Sequence, residues 1–229
     1  MPVYLLNDSV IFPNPAFAEP DGLVAIGGDL STQRLIEAYS LGIFPWYSEG
    51  QPILWWSPDP RMVLLPKNFI RHKNLAKIVQ NKKFQVSFDK MFDQVIERCS
   101  SVPRKGQDGD TWITDEMKTA YFELHKIGIA HSVEVSYRKE LVGGLYGLSL
   151  GKCFFGESMF HTMTDASKVA LWHLVEQLKM WKFDMIDVQQ ETHHLKSMGA
   201  DSMERKEFLH LLTGSVNKKS INGSWDYIN

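Results

Sequence analysis

The stretch Gly42 to Leu64, GIFPWYSEGQPILWWSPDPRMVL, constrains the fold more than any other, because its 23 residues hold three of the seven tryptophans and four of the ten prolines. Pro45, Pro52, Pro58 and Pro60 each fix φ and remove a main-chain donor, so the segment is neither a continuous helix nor a central strand. Trp46, Trp55 and Trp56 are therefore expected on stiff, irregular backbone. Stiff indoles serve two purposes: they plug a core or a domain interface, or they wall a cavity that holds a flat base or an apolar side chain. Residue types alone leave both open.

A chain of 229 residues with 44% hydrophobic content has room for one large domain, or for a small one and a medium one. No run of 18 apolar residues occurs, and Met1 to Val10 contains Asp8 without a basic stretch, so neither a membrane span nor a signal peptide is expected. Cytoplasm is the default compartment. Cys99 and Cys153 are the two cysteines, which suits a reducing environment and excludes a disulfide scaffold or a multi-cysteine zinc site. The formal charge of -2 hides an uneven distribution. Lys67 to Phe88 holds Lys67, Arg71, Lys73, Lys77, Lys82 and Lys83 and no acidic residue. Arg71, Asn74 and Lys77 fall on one helical stripe opposite Leu75, Ile78 and Val79, which makes either a solvated face or a phosphate-binding one.

Phe12 to Asp29 is rich in proline and glycine, after which Ser31 can cap a helix that buries Leu35, Ile36 and Tyr39 and ends at Gly42. Longer helices and alternating strands begin near Met62, so a boundary is expected there, dividing a small Pro/Trp-rich domain (1–62) from a larger domain (63–229). Within the second, Asp115 to Ile127 places Met117, Ala120, Tyr121 and Leu124 on one helical face. Ile129 to Tyr137, Glu140 to Leu150 and Lys152 to Gly156 read as an antiparallel meander. A helix capped by Thr164 or Asp165 runs to about Met180, a strand spans Phe183 to Gln189, and a helix runs from about Glu204 to Leu212. The tail after Gly214 reads as weakly ordered.

Polar residues stand out in two strands. Asp187 and Gln189 are two apart in IDVQ, so a regular strand would place them on one face with Ile186 and Val188 on the other, although an Asp at a strand end is commonly a turn residue. Glu157 follows Gly156, and a partly buried acid there needs a partner. Ser158 is no nucleophile elbow, because GESMF lacks the second glycine. His193 and His194 diverge as neighbours, and with His125, His131, His161 and His173 they show no metal-ligand spacing, so no metal is expected.

FPWY followed by QPILWWSPDPRMVL closely resembles the leucyl/phenylalanyl-tRNA–protein transferases. GLVAIGGDL from Gly22, TWIT from Thr111, AHSVEV from Ala130, LVGGLYG from Leu141, FGESMF from Phe155, DASK from Asp165, IDVQ from Ile186 and SMGA from Ser197 resemble the same family in the same order. The resemblance spans roughly residues 12 to 212. It implies an α+β fold in which the larger domain is a GNAT-like acyltransferase with a mixed, largely antiparallel sheet. It also implies transfer of leucine or phenylalanine, and less well methionine, from aminoacyl-tRNA to the N-terminal Lys or Arg of acceptor proteins. That would mark them for N-end rule degradation, without cofactor or metal, by a cytoplasmic protein expected to be a monomer.

The resemblance implies further that Asp187 and Gln189 are the catalytic pair, with the carboxylate polarising the glutamine amide, and that Glu157 meets the cationic acceptor. An aminoacyl pocket is implied from Trp46, Trp112, Leu145, Phe154, Leu171, Leu174, Leu178 and Ile186. Leu174 and Leu178 stand where well-known members carry phenylalanine, and Leu145 where they carry methionine, so the pocket shape departs from the common pattern. Arg71, Lys73, Lys77, Lys82 and Lys83 are then expected to meet tRNA phosphates. Two rivals remain. An acetyl-CoA-dependent N-acetyltransferase would need a glycine-rich loop where the chain has MFHTMTDASK, and a tRNA-binding protein without activity would leave Asp187, Gln189 and Glu157 without a purpose.

Overall fold

The computed structural model describes residues 3–102 and 111–227; the first two residues of the Met1 to Val10 stretch and the last two of the tail lie outside it. Four short strands, β1 (Tyr4–Leu6), β2 (Leu23–Gly27), β3 (Phe44–Pro45) and β4 (Leu54–Trp56), form a small sheet in the order β1-β2-β4-β3, with helix α1 (Thr32–Ser40) between β2 and β3 along the chain. Only β1 and β2 run parallel. The prolines decide this layout. Pro45 sits on the edge strand, where a missing donor costs no ladder bond, and Pro52, Pro58 and Pro60 fall between strands. Ser31 caps α1 by accepting from the Arg34 amide, and Gly42 follows the helix with φ at +76°. A Cβ at Gly42 would meet Phe208 and Leu209 at 2.8 Å, so glycine permits both the left-handed turn and its close approach to the C-terminal helix.

The larger sheet has seven strands, β5 (Arg61–Leu64), β6 (Gln85–Phe88), β7 (Ala130–Tyr137), β8 (Glu140–Leu150), β9 (Cys153–His161), β10 (Met185–Gln189) and β11 (Asp201–Met203), in the order β11-β5-β10-β9-β8-β7-β6. Every neighbouring pair is antiparallel except β9 with β10. The fold is thus α+β, with a mixed and mainly antiparallel sheet. Helices α2 (Lys73–Gln80), α3 (Phe92–Ser101), α4 (Asp115–Lys126), α5 (Ala166–Met180), α6 (His193–Ser197) and α7 (Arg205–Val216) complete it. One face of the sheet packs Val133, Leu145, Phe154 and Ile186 against α5 through Val169, Leu171, Leu174 and Leu178. The other packs Tyr146, Phe155 and Phe160 against α3, α4 and α7 and against Tyr39 and Phe44 of the N-terminal part. Both ends of the chain therefore share one core.

Three expectations change. Strand β9 runs on to His161 rather than stopping at Gly156, because its pairing with β8 resumes at Ser158 beyond a one-residue irregularity. Asp165 precedes α5 with φ at +68°, and its side chain accepts no capping hydrogen bond from the helix; its carboxylate accepts from Lys168 Nζ at 2.8 Å instead. The tail is not loose. Helix α7 continues to Val216, and Trp225 is fully buried, stacked on His131 with ring centroids 3.7 Å apart while its amide donates to Asp89 Oδ2 at 2.7 Å.

Candidate active site

The two parallel strands at the centre of the sheet pair only from Met185 opposite Cys153 to Asp187 opposite Phe155, and then part. Each carries a bulge where they separate. On β9 the partners of Tyr146 and Gly147 are Ser158 and Gly156, so Glu157 is the extra residue; on β10 the partners of Val63 and Met62 are Asp187 and Gln189, so Val188 is the extra one. A bulge re-aims the side chains beside it. Gly147 allows the first, because a Cβ there would lie 2.1 Å from the Phe155 carbonyl oxygen, and Gln189 takes a left-handed φ of +64° at the second. The alternation expected for Asp187 and Gln189 consequently fails. Asp187 points away from Ile186 into the core, while Gln189 turns toward the gap.

A connected set of polar groups fills the floor of that gap. Gln189 Nε2 donates to Glu157 Oε1 at 2.9 Å, and Tyr121 Oη donates to Glu157 Oε2 at 2.8 Å. Tyr121 in turn shares a hydrogen bond with Tyr39. Burial is the main influence on Glu157 and lifts its carboxyl to about 7; the nearby Asp187 charge acts in the same direction, against the hydrogen bonds from Tyr121, Tyr39 and Gln189. Both tyrosine hydroxyls are pushed well above the ordinary phenol range by burial and by the Glu157 charge, so they remain protonated donors.

Asp187 is held apart from these groups by a residue the sequence had not singled out. Arg61 Nε and Nη2 donate to its two carboxylate oxygens at 2.9 and 2.7 Å, and both side chains are 0% exposed. The guanidinium lies between the rings of Phe44 and Phe208, 4.7 and 4.6 Å from their centroids. Asp187 Oδ1 also accepts from the main-chain amide of Gln189 at 2.9 Å. The side-chain amide of Gln189 thus reaches Glu157 and not Asp187, and the aspartate acts on the glutamine only through its backbone. One signal in the sequence could have exposed this: an arginine opening the apolar run RMVLL needs a buried carboxylate if that run is a central strand.

Above the network lies a cavity of about 580 Å³ between the sheet and α5. Trp46, Trp112, Leu145, Phe154, Leu171, Leu174 and Ile186 line it, together with Glu157 and Gln189. Leu178 does not; it is packed within the core one helical turn beyond Leu174, out of reach of the cavity. The three indoles of the Pro/Trp segment divide their work. Trp55 is buried and donates to the Gly27 carbonyl at 2.8 Å, whereas Trp46 keeps 41% exposure at the rim, buttressed by Trp56, whose Nε1 donates to its carbonyl at 2.7 Å. Sequence reasoning missed Thr192 and Leu195 on the lining, and considered His194 only as a metal ligand. Among the described residues no three His, Cys, Asp or Glu side chains gather as a metal-binding group.

The basic stretch lies on α2 and its flanks. Arg71 is drawn to Glu176 of α5 and lies over the Trp172 ring, which holds the Glu176 carboxyl below its ordinary range despite partial burial. Lys73, Lys77, Lys82 and Lys83 are exposed, and among the described residues no carboxylate pairs with them. Among the described residues no helix is long and apolar enough to cross a membrane.

Comparison with known proteins matches residues 63–213 to a family model described as leucyl/phenylalanyl-tRNA protein transferase, and residues 28–59 to the N-terminal domain of the same family. A leucyl/phenylalanyl-tRNA–protein transferase of Syntrophobacter fumaroxidans is 51% identical over 226 residues, covering 99% of this chain and 96% of that one. One of Syntrophotalea carbinolica is 54% identical over 212 residues, covering 93% and 92%. Among solved structures, an aminoglycoside acetyltransferase from an uncultured soil sample aligns with 51% of this chain and 84% of its own at 12% identity, with a TM-score of 0.38.

Proposed function

Since the chain belongs to the leucyl/phenylalanyl-tRNA–protein transferase family of aminoacyltransferases, we propose that the cavity between β9, β10 and α5 moves leucine or phenylalanine from the 3′ end of a tRNA to the N-terminal Lys or Arg of an acceptor protein. The observation that carries this reading is Glu157, a carboxyl lifted to about 7 at the foot of an apolar cavity. A group with that affinity accepts a proton from an incoming ammonium near neutral pH, and a cationic acceptor end is drawn to its anion.

The donor is already an activated ester, so alignment and proton management suffice and no cofactor is called for. The aminoacyl side chain fills the apolar wall of Phe154, Leu171, Leu174 and Ile186. The acceptor ammonium gives one proton to Glu157, and its nitrogen then attacks the ester carbonyl. As the C–N bond forms and the bond to the ribose oxygen breaks, the departing oxygen takes the second proton from that nitrogen. Gln189, with one N–H on Glu157, has its other N–H to offer to the carbonyl oxygen as charge develops there. Asp187 and Arg61 are positioning residues that fix the left-handed turn at Gln189. Lys73, Lys77, Lys82 and Lys83, with Arg71 at their edge, meet phosphates of the tRNA acceptor stem. The protein acts as a monomer in the cytoplasm and marks acceptors for N-end rule degradation.

The test offers radiolabelled leucyl-tRNA and radiolabelled acetyl-CoA separately to a protein bearing N-terminal arginine. Label should pass from leucyl-tRNA alone. Acetylation without leucine transfer would replace this function with that of an N-acetyltransferase.

A further inference from the structure

Glu157 ends a chain of hydroxyls that begins in the N-terminal part of the protein. Tyr39 of α1 and Tyr121 of α4 are both 0% exposed, their hydroxyls hydrogen-bond to each other, and Tyr121 Oη donates to Glu157 Oε2 at 2.8 Å. Packing alone asks only for rings. Tyr39 packs T-shaped on Phe155 with centroids 5.2 Å apart, and Tyr121 meets Tyr146 in the same way at 5.5 Å, contacts that phenylalanine would make equally well. A buried hydroxyl costs free energy unless it is bonded, so two of them in series, ending on one carboxylate, point to that carboxylate as their purpose.

A phenol has one proton to give. Tyr121 spends its own on Glu157, which leaves the Tyr121 oxygen to accept from Tyr39. Both protons then point toward the carboxylate, and each bond in such a chain polarises the next. The other groups around Glu157 do not substitute for this. Gln189 Nε2 holds the opposite oxygen at 2.9 Å, Asp187 of the same strand repels the anion, Arg61 of β5 is engaged with Asp187, and Tyr146 of β8 stands beside the two tyrosines. Burial works hardest against the Glu157 anion; the bonds from Tyr121 and then Tyr39 favour it.

We propose that Tyr39 is a positioning residue for the transfer reaction, its hydroxyl holding the Tyr121 proton on Glu157 so that the carboxylate is ready for the acceptor ammonium. This deepens the reading of Glu157 as the base and rests on it. The experiment titrates the Glu157 carboxyl by carbon-13 NMR in wild type, Tyr39→Phe, Tyr121→Phe and the double variant, with Glu157→Gln to assign the signal. Profiles of kcat against pH for leucine transfer, and melting curves, run in parallel. Losing the direct bond should raise the titration midpoint by about 1–2 pH units in Tyr121→Phe. Losing the bond behind it should raise the midpoint by roughly 0.2–0.6 unit in Tyr39→Phe, and the rising limb of the rate should move with it. The double variant should titrate where Tyr121→Phe does, because Tyr39 acts through Tyr121. In wild type the buried Tyr39 hydroxyl proton should shift as Glu157 titrates, which carries the test should Tyr39→Phe not fold. A role in packing alone would lower the melting point and leave the midpoint in place. That result, shifts that add in the double variant, or a Tyr39 hydroxyl signal that stays fixed overturns the assignment. A midpoint that moves while the rate limb stays would instead overturn Glu157 as the base, the reading on which the role of Tyr39 in transfer rests.

Discussion

Replacing Arg61 with methionine should separate what the buried ion pair does for stability from what it does for activity. Both side chains are 0% exposed, and two hydrogen bonds of 2.9 and 2.7 Å join them between Phe44 and Phe208, so water has no route to a lone Asp187 carboxylate. Removing one partner of such a pair costs about 3–5 kcal/mol. In a chain of this size each kcal/mol moves the midpoint by about 2–4 °C, so Arg61→Met should melt about 6–20 °C below wild type. Adding Asp187→Leu removes the stranded charge and should recover most of that loss. Activity should stay low in the double variant, because the Gln189 main-chain amide loses the carboxylate that fixes its left-handed turn. Calorimetry and initial rates of leucine transfer at saturating donor measure the two quantities. A single variant melting within about 2 °C of wild type would show that the pair contributes almost nothing. A double variant at full rate would remove Asp187 from the support of Gln189.

Glu157 binds its proton more tightly in the folded state, at about 7 against an ordinary 4.5, so wild-type stability should decline as pH rises between those values, and Glu157→Gln should be flatter over the same window. The transfer rate of wild type should climb through about pH 7 as the base form accumulates; a variant that keeps the same rising limb would transfer the proton role elsewhere. Neutralising Lys77, Lys82 and Lys83 should reduce the salt dependence of tRNA binding by about 0.7–0.9 in log-log slope per lost phosphate contact. An unchanged slope would make them a solvated face. Leu174→Phe should alter the ratio of leucine to phenylalanine transferred, since Leu174 lines the cavity, whereas Leu178→Phe should leave the ratio alone and destabilise by about 1–3 kcal/mol through overpacking. Equal effects of the two on the ratio would contradict that division.

The elements that sequence reveals best are those whose side-chain period meets a single uniform environment. The helix at Asp115 and the strand from Glu140 to Leu150 begin where periodicity places them. The candidate site follows the opposite rule. Its geometry comes from two interruptions of the β period, at Glu157 and Val188, and a bulge depends on what the neighbouring strand does rather than on the residue itself. Asp187 and Gln189 were for that reason expected side by side. Leu178 is a pocket residue by the family resemblance and shares a helical stripe with Leu174, yet a cavity ends where a second element closes it. Trp225 belongs with them, as an aromatic in a polar tail whose partner, Asp89, lies 136 residues earlier.

That separation bears on how the protein is made. Asp89 holds Ser132 N, His131 Nδ1 and Trp225 N with two oxygens, and the Trp225 indole covers the imidazole beside Phe154 and Trp181. The first two partners leave the ribosome long before the third. Until residue 225 emerges, the sheet face beneath α5 lacks its plug, and a chain stalled short of that point presents an apolar surface with an unshielded carboxylate at its centre. Completion of this fold therefore waits for residue 225, and the same opening would mark a product interrupted before it for chaperones or proteases.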